Sequence, residues 1–417
     1  MSKITKVELF HIRIPLAKPF YPSWIPGFPQ TENRFDLIRI TTEDGIQGYS
    51  SGPAISNERR GLGGLIAPYL LDHDASNIPL MHQRLREISY LGIRSNWIEP
   101  AFWDIKGKLE NKPVYELLGG KHQDIKLYAS TGEVKQPGPR LEEAQARYED
   151  GFHSIKLRVH DFDVQKDIEQ IKIVTDALGD KMDIGVDVNQ AWRVTIVNDA
   201  PKWDLKRAKY FADACSDMGV SWIEEPLPMD DYEAQAALCA YSKVPISGGE
   251  LHSGGYPELK MMIENHCYDI FQPDAIMSGG ISQALAIAEL CKQKGLKFTP
   301  HTWTNGIGFA VNAHVMLASG FADSMHLEYP INPPSWTLEN RDALLTRPFQ
   351  HNKGVLSMPQ KPGLGFEIDE RALRKYGKRF FNMGKTKFLF HTLRDKGFKA
   401  AKEIDYNRKH YGVNTDN

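Results

Sequence analysis

The sequence predicts an α/β protein: a parallel (β/α) barrel carried behind a smaller α+β unit. Three observations predict it. From about residue 125 to residue 328, eight short apolar runs alternate with amphipathic helical stretches, the pattern of strands buried on both faces with helices outside them. Seven of those runs, the second to the eighth, carry ionisable residues at their ends, which is where a parallel barrel gathers its chemistry. The first 120 or so residues instead read as alternating strands followed by helices, an α+β pattern.

Taken in order, "ITKVELFHIRI" and "FDLIRITTEDGIQGYS" alternate polar and apolar residues as strands do, and Glu43-Asp44-Gly45 is a hairpin signal. Between them "PLAKPFYPSWIPGFPQTENR" is dense in Pro, Gly and aromatics and reads as a long loop. Phe20, Tyr21 and Trp24 are costly to leave in water, so this loop is expected to act as a lid. "ERRGLGGLIAPYLLDHD", "IPLMHQRLREISYLG" and "WIEPAFWDIKGKLENKPVYELLGG" have helical spacing, and Gly119-Gly120 stops the last. The barrel strands are "IKLYAST", "HSIKLRV", "DIGVDV", "VSWIEE", "VPISGGE", "YDIFQPD", "LKFTPH" and "DSMHLE". A doubly wound open sheet is the alternative. It would more often carry a Gly-rich phosphate loop after its first strand, and "YASTGEVKQPGP" is not one. "PINPPSWTLEN" and "QKPGLGFEID" read as irregular segments returning to the first unit. The tail from Arg371 to His410 holds 13 Lys/Arg against three acids. Its interspersed Phe, Leu and Tyr favour helices packed on a surface or a subunit interface over a nucleic-acid arm. The expected organisation is a first domain over 1–122, a barrel over 123–330 and returning segments with a basic tail over 331–417.

Composition narrows the partners. The 417 residues carry 51 basic and 53 acidic side chains, so nothing favours nucleic acid or an anionic membrane. No apolar stretch approaches the ~18–20 residues of a membrane span, and the N-terminus lacks the apolar block of a signal peptide. The four cysteines are widely spaced, with no CxxC, and fit reduced structural thiols of a cytoplasmic protein.

The strand ends carry the function. Asp187, Glu224 and Glu250 each close an apolar run. Three carboxylates converging on one point repel unless a cation sits between them, and a hard oxygen-bound ion such as Mg²⁺ suits them. The second strand offers Lys156 and Arg158, and the third Asp187 and Asn189; residues i and i+2 of a strand share a face. The fourth also offers Glu225, read as a salt-bridge or cap residue. The sixth offers Asp274, the seventh His301 and the eighth Glu328. A carboxylate beside an imidazole fixes its tautomer and raises its basicity, so Asp274 makes His301 a candidate general base. His252, two residues after Glu250, is a candidate pocket residue.

The order Lys-x-Arg, Asp-x-Asn, Glu-Glu-Pro, Gly-Glu, Gln-Pro-Asp, Pro-His and Leu-Glu resembles the mandelate racemase subgroup of the enolase superfamily. "AFWDIKGKLENKPVYELLGG" resembles the segment that joins that family's capping domain to its barrel. The resemblance spans about residues 4–370. It implies a (β/α)7β modified TIM barrel under an N-terminal α+β capping domain completed by C-terminal segments. It implies one Mg²⁺ on Asp187, Glu224 and Glu250, with Asn189 and Lys156 on a substrate carboxylate. It implies Asp274–His301 as the base dyad and Glu328 as a donor to the carboxylate as charge builds there. The Trp24 loop and the "SSGPAIS" loop would close over the substrate. The family is known for a Lys or His base working with Mg²⁺ on an ene-diolate.

Two departures shape the expected reaction. Asp187 and Glu224 are 37 positions apart, against 26 for Glu224 and Glu250, so "WRVTIVNDAPKWDL" extends the third loop. Arg158 stands where the family's racemases have a second lysine base, and arginine stays protonated at any working pH. A two-base racemase therefore fits less well than a dehydratase, in which one residue takes the α-proton and returns it to the leaving hydroxide. The expectation is a sugar-acid dehydratase giving a 2-keto-3-deoxy acid. The alternatives are a racemase or epimerase using Lys156, and a non-catalytic sugar-acid-binding protein. The expected partners are a small sugar acid and, from the long third loop and aromatic tail, further copies in a homo-oligomer.

Overall fold

A computed structural model describes residues 2–54, 66–67, 69–90, 94–192 and 194–411. The chain opens with three antiparallel strands, β1 (Ile4–Phe20), β2 (Gln30–Thr42) and β3 (Gln47–Pro53). Ile4, Val7, Leu9, Ile12 and Ile14 of β1 and Leu37, Ile38 and Ile40 of β2 are buried. The turn at Glu43–Gly45 closes as its spacing predicts, with the Gly45 N–H donating to the Thr42 carbonyl and Gly45 at φ +78°. The expected loop is shorter than its composition suggested. Pro15–Phe20 continues β1, and Gln30–Arg34 begins β2, across a register shift where Phe20 faces Gln30. A proline is tolerated in such an interrupted ladder, so proline density alone overstated the loop.

Helix α1 (Ile78–Ser89) packs on α2 (Glu99–Leu109), which packs on β3 and β2 of this sheet. The Asn77 side chain accepts from the Leu80 N–H and caps α1, which buries Ile78, Met81, Leu85 and Ile88 at helical spacing. Gly48 of β3 lies so close to the Ala101 carbonyl and Ile105 that no side chain would fit there. A short helix, α3 (Val114–Leu117), leads into the barrel.

Eight parallel strands follow: β4 (Asp124–Ser130), β5 (Ser154–Arg158), β6 (Asp183–Asp187), β7 (Trp222–Glu224), β8 (Ile246–Gly248), β9 (Ile270–Phe271), β10 (Lys297–Phe298) and β11 (Leu327–Pro330). Between them lie α4 (Pro137–Glu149), α5 (Val164–Leu178), α6 (Leu205–Asp217), α7 (Tyr232–Tyr241), α8 (Tyr256–Glu264), α9 (Ile281–Lys294) and α10 (Gly306–Ser319). The ladder runs from β4 in chain order to β10, and β11 pairs with β4. This is a (β/α)7β arrangement. Among the described residues no ladder joins β10 to β11; Thr299 Oγ1 donates to the His326 carbonyl and Thr302 Oγ1 to that of Glu328, both at 2.8 Å.

The C-terminal chain returns to both sheets. β12 (Val355–Ser357) pairs antiparallel with the start of β4. After α11 (Leu338–Arg341) and α12 (Glu370–Tyr376), β13 (Gly377–Gly384) pairs with β1, giving the order β13-β1-β2-β3. The expectation of helices throughout the basic tail is corrected here, because "KRFFNM" fills the edge of β1. The rest is α13 (Lys385–Tyr411), broken at Gly397, where φ is +81°. No helix among the described residues is long and apolar enough to cross a membrane.

Candidate active site

The barrel strands bring the predicted strand-end groups to one end of the sheet. In the parallel register Arg158 lies beside Asp187, and Asp187 beside Glu224. Lys156, Asp187, Asp274 and Glu328 are wholly buried, and Arg158, Glu224, Glu250 and His301 nearly so. The chain leaves these strands through left-handed backbone at Asn189 and Glu225, both at φ +50°, and at Gly249. Such conformations are uncommon for residues with a side chain and concentrate at functional sites.

Cations stand between the acids. The Lys156 ammonium bonds Glu224 and lies 2.8 Å from Glu328 Oε1 and 3.5 Å from Asp187 Oδ2. Arg158 pairs with Asp187, and its Nε donates to the Thr131 carbonyl at 2.7 Å. Its guanidinium lies 5.3 Å from the Trp24 ring centre and 5.7 Å from that of Trp303, within cation–π range. His301 Nδ1 is 3.1 Å from Asp274 Oδ2, while Nε2 is 2.9 Å from Glu250 Oε2 and 3.7 Å from Glu328. Asp274 is itself anchored, its Oδ1 accepting from the Ile276 N–H and from Asn312 Nδ2.

These pairings set the charges. Burial opposes the Lys156 ammonium, yet Glu224 and Glu328 hold its pKa well above the usual lysine value. Arg158 is raised likewise, against burial, chiefly by Asp187. Burial opposes the His301 cation too, but Glu250 and Glu328 push its pKa well up. Glu328 is driven down to about 2, against burial, by Lys156 and His301. Glu224 is pushed up to about 8 by burial. Glu225 does not make the expected ion pair: among the described residues it has no cationic partner and its Oε2 has no hydrogen bond. Burial, then the Glu250 charge, pushes its carboxyl well above the usual range, so it fits there as a neutral acid.

The donor chemistry fits a hard divalent cation, being three buried carboxylates on successive strand ends. Among the described residues, however, no three His, Cys, Asp or Glu groups are arranged to hold a metal as they stand. The reason is visible atom by atom. Besides Lys156, Arg158 and His301, the Asn189 N–H occupies Asp187 Oδ1, Gln272 Nε2 occupies Glu224 Oε2 and Trp192 Nε1 approaches Glu250 Oε1.

The remaining predicted residues divide. Trp24 covers Arg158. Asn189 Oδ1 accepts from Ser23 Oγ on the same loop. That loop is fastened further: the Ser23 N–H donates to the Gly132 carbonyl, His160 Nε2 meets the Ser23 carbonyl, and the Asn198 N–H donates to that of Pro26. Gly27, at φ +73°, leaves no space for a side chain against Asn198, so the extended third loop braces the lid. His252 is not drawn into the cluster. Its Nδ1 bonds Glu258 Oε1 at 2.8 Å and its ring packs near Tyr268. Of the "SSGPAIS" loop, Ser51 Oγ donates to Asn305 Oδ1, while Ile55 and Ser56 lie outside the described residues.

Sequence reasoning missed several partners. Ser130 ends β4 and donates to Glu328 Oε1 at 2.7 Å while accepting from Trp303 Nε1. The Thr302 N–H donates to Glu328 Oε2. The position of Ser130 and Thr131 at the end of the first barrel strand was the available signal. Chemically the arrangement offers one imidazole–carboxylate dyad on the β9–β10 side and two buried cations on the β5 side.

Comparison with known proteins accords with this geometry. Residues 7–119 match the family described as mandelate racemase / muconate lactonizing enzyme, N-terminal domain, and residues 140–372 match the enolase C-terminal domain-like family. The chain is 28% identical to D-galactarolactone cycloisomerase of Agrobacterium fabrum over 90% of its own length and 98% of that protein. It is 27% identical to arabinonate dehydratase of Saccharolobus solfataricus over 84% and 93%. It superposes on L-talarate/galactarate dehydratase from Salmonella typhimurium, solved with Mg and L-lyxarohydroxamate, with a TM-score of 0.77 at 26% identity, covering 92% and 95% of the two chains. Relatives of similar identity include further sugar-acid dehydratases, a racemase and a muconate cycloisomerase.

Proposed function

The chain belongs to the mandelate racemase subgroup of the enolase superfamily, and from that premise we propose that it is a magnesium-dependent dehydratase of a sugar acid. The observation that carries this reading is the asymmetry of the site. His301, backed by Asp274, is the one imidazole of the cluster; Glu250 and Glu328 raise its pKa, and an ion held by Glu250 would offset that charge and leave Nε2 able to accept a proton. At the end of β5 stand Lys156 and Arg158, and Arg158, protonated at any working pH, cannot serve as a second base.

Asp187, Glu224 and Glu250 would hold the ion. Bound there, it supplies positive charge that stabilises the negative charge developing on a substrate carboxylate. The chain's own residues perform the rest. Lys156 and Asn189 face the carboxylate position, while Glu328, expected as a donor to it, accepts from Ser130 and Thr302, pairs with Lys156 and in this reading keeps Lys156 in place. His301 Nε2 removes the proton on C2, with its Nδ1–H held by Asp274 as the charge moves onto the ring. The electron pair left at C2 expels the C3 hydroxyl, and the same Nε2 proton goes to it as water leaves. The resulting enol tautomerises to a 2-keto-3-deoxy acid.

The test is a panel of aldonates and aldarates with Mg²⁺, read by keto-acid formation. One reading competes, because Lys156 and His301 meet different oxygens of Glu328. A racemase or epimerase would use that lysine as a second base. Recovery in D₂O of C2-deuterated, inverted substrate without keto acid would overturn the dehydratase and establish the racemase. The homo-oligomer proposed from the third loop and tail is checked by sedimentation of the purified enzyme.

A further inference from the structure

A cavity of about 650 Å³ lies beside the catalytic cluster, between β2, the end of β3 and the loops after β9 and β10. Trp24 and Trp303 belong to both: they flank Arg158 and they wall the cavity. Ile276 and Met277, just after Asp274, form its floor on the side of the base dyad.

The space exceeds what an open-chain acid requires. At water's share of about 30 Å³ per heavy atom, a six-carbon acid of about 14 such atoms fills less than about 420 Å³. Its carboxylate end is placed outside this cavity, at Lys156 and the acids. The walls are also of the wrong kind for a bare polyol. Trp24, Trp303 and Trp336 enter with Phe28 and Phe35. Trp24, Trp303 and Trp336 are ordered by mutual contact with Phe20: Trp303 stacks on Phe20 at 7°, and the Trp303 and Trp336 centres are 5.3 Å apart. Flat apolar walls stabilise a flat apolar face by burying it.

Polar groups complete the lining without offering a second carboxylate site. Arg13 is taken by Glu32 at 2.9 Å, and Arg34 is exposed. Among the described lining residues this leaves no buried cation for a distal acid group, and an unpaired buried charge is costly. Gln30, Thr31 and Asn33 add neutral polar side chains to the lining. An apolar pocket with a few polar groups is the usual form of a small-molecule site. A pyranose ring matches both features, with C–H bonds on its faces and hydroxyls at its rim.

Resting on the sugar-acid reading above, we propose that the substrate is a monoacid whose distal end carries a glycosyl ring, and that this ring is held among Trp24, Trp303 and Trp336. The full-length enzyme with Mg²⁺ is titrated by calorimetry and tryptophan fluorescence with cellobionate and maltobionate, which are glycosylated aldonates, and with gluconate, galactarate and 3-phenyllactate. A glycosylated aldonate binds at least tenfold tighter than gluconate. Trp336→Leu reduces that ratio to below threefold, while Trp336→Phe, which keeps an aromatic face, retains it. Equal affinity for gluconate, tighter binding of galactarate or of 3-phenyllactate, or a ratio unchanged by Trp336→Leu would each overturn the proposal. The two readings fail separately. Selective binding of the glycosylated acid without keto-acid formation supports the subsite and removes the dehydratase. Keto acid formed from open-chain acids without ring preference does the reverse.

Discussion

His301 Nε2 faces Glu250 and Glu328 while Nδ1 is held by Asp274, so the proposed base lies directly between Asp274 and Glu250, one of the proposed metal-binding acids. General acid–base groups typically contribute 10²–10⁴-fold. His301→Asn should therefore lower keto-acid formation by at least about 100-fold while Mn²⁺, followed by electron paramagnetic resonance, still binds. Lys156 gives a second prediction of the opposite sense. Its ammonium lies among Glu224, Glu328 and Asp187, where it competes for the carboxylates a divalent ion would take. Lys156→Met should abolish turnover yet tighten Mn²⁺ binding; unchanged or weaker binding would show that the lysine does not compete. Removing the ion with a chelator should stop turnover, and Mg²⁺ should restore it. The strand-end acids and the dyad were legible in the sequence because a strand end is a local signal. Their counter-ions were not, since which oxygen a side chain meets depends on neighbouring strands aligning.

The contact of helix α10 with α3 shows how elements carry the cap on the barrel. His314 of α10 stacks on Tyr115 of α3, ring centres 5.5 Å apart, and its Nδ1 accepts from the Tyr115 N–H. Burial lowers the His314 pKa to about 4. Between about pH 6.5 and 4 the unfolded chain binds a proton that the folded chain refuses. Stability thus has its full value above pH 6.5 and falls as pH drops toward 4, by up to about 3 kcal/mol. Urea unfolding across this window should show the loss, and His314→Gln, which can still accept from Tyr115, should flatten it. Packing between β3 and α2 is equally exacting. Gly48→Ala should destabilise by about 1–3 kcal/mol, the cost of overpacking, read as a lowered melting temperature. Helical spacing made α2 and α3 legible, whereas α10, buried almost all round, shows no such spacing. The strand extensions at Pro15–Phe20 and Gly377–Gly384 were not, because both exist only through pairing with another strand.

The whole molecule is closed by its C-terminus, since β13 supplies the edge of the cap sheet beside β1. Removing residues 377–417 should expose the β1 edge and cause aggregation, seen by size-exclusion chromatography. A chain ending at Gly384 keeps that edge covered and should stay soluble. At this scale the division between sequence and structure is physical. The sequence by itself determined the barrel, the cap that precedes it and the series of acids, cations and imidazole on successive strand ends, because periodicity and turn chemistry act over a few residues. Tertiary structure alone decided that Ser23 reaches Asn189, that Ser130 supports Glu328 and that Trp24, Trp303 and Trp336 share one wall. Those residues are far apart in the chain, and only the packing of cap on barrel sets how near they come.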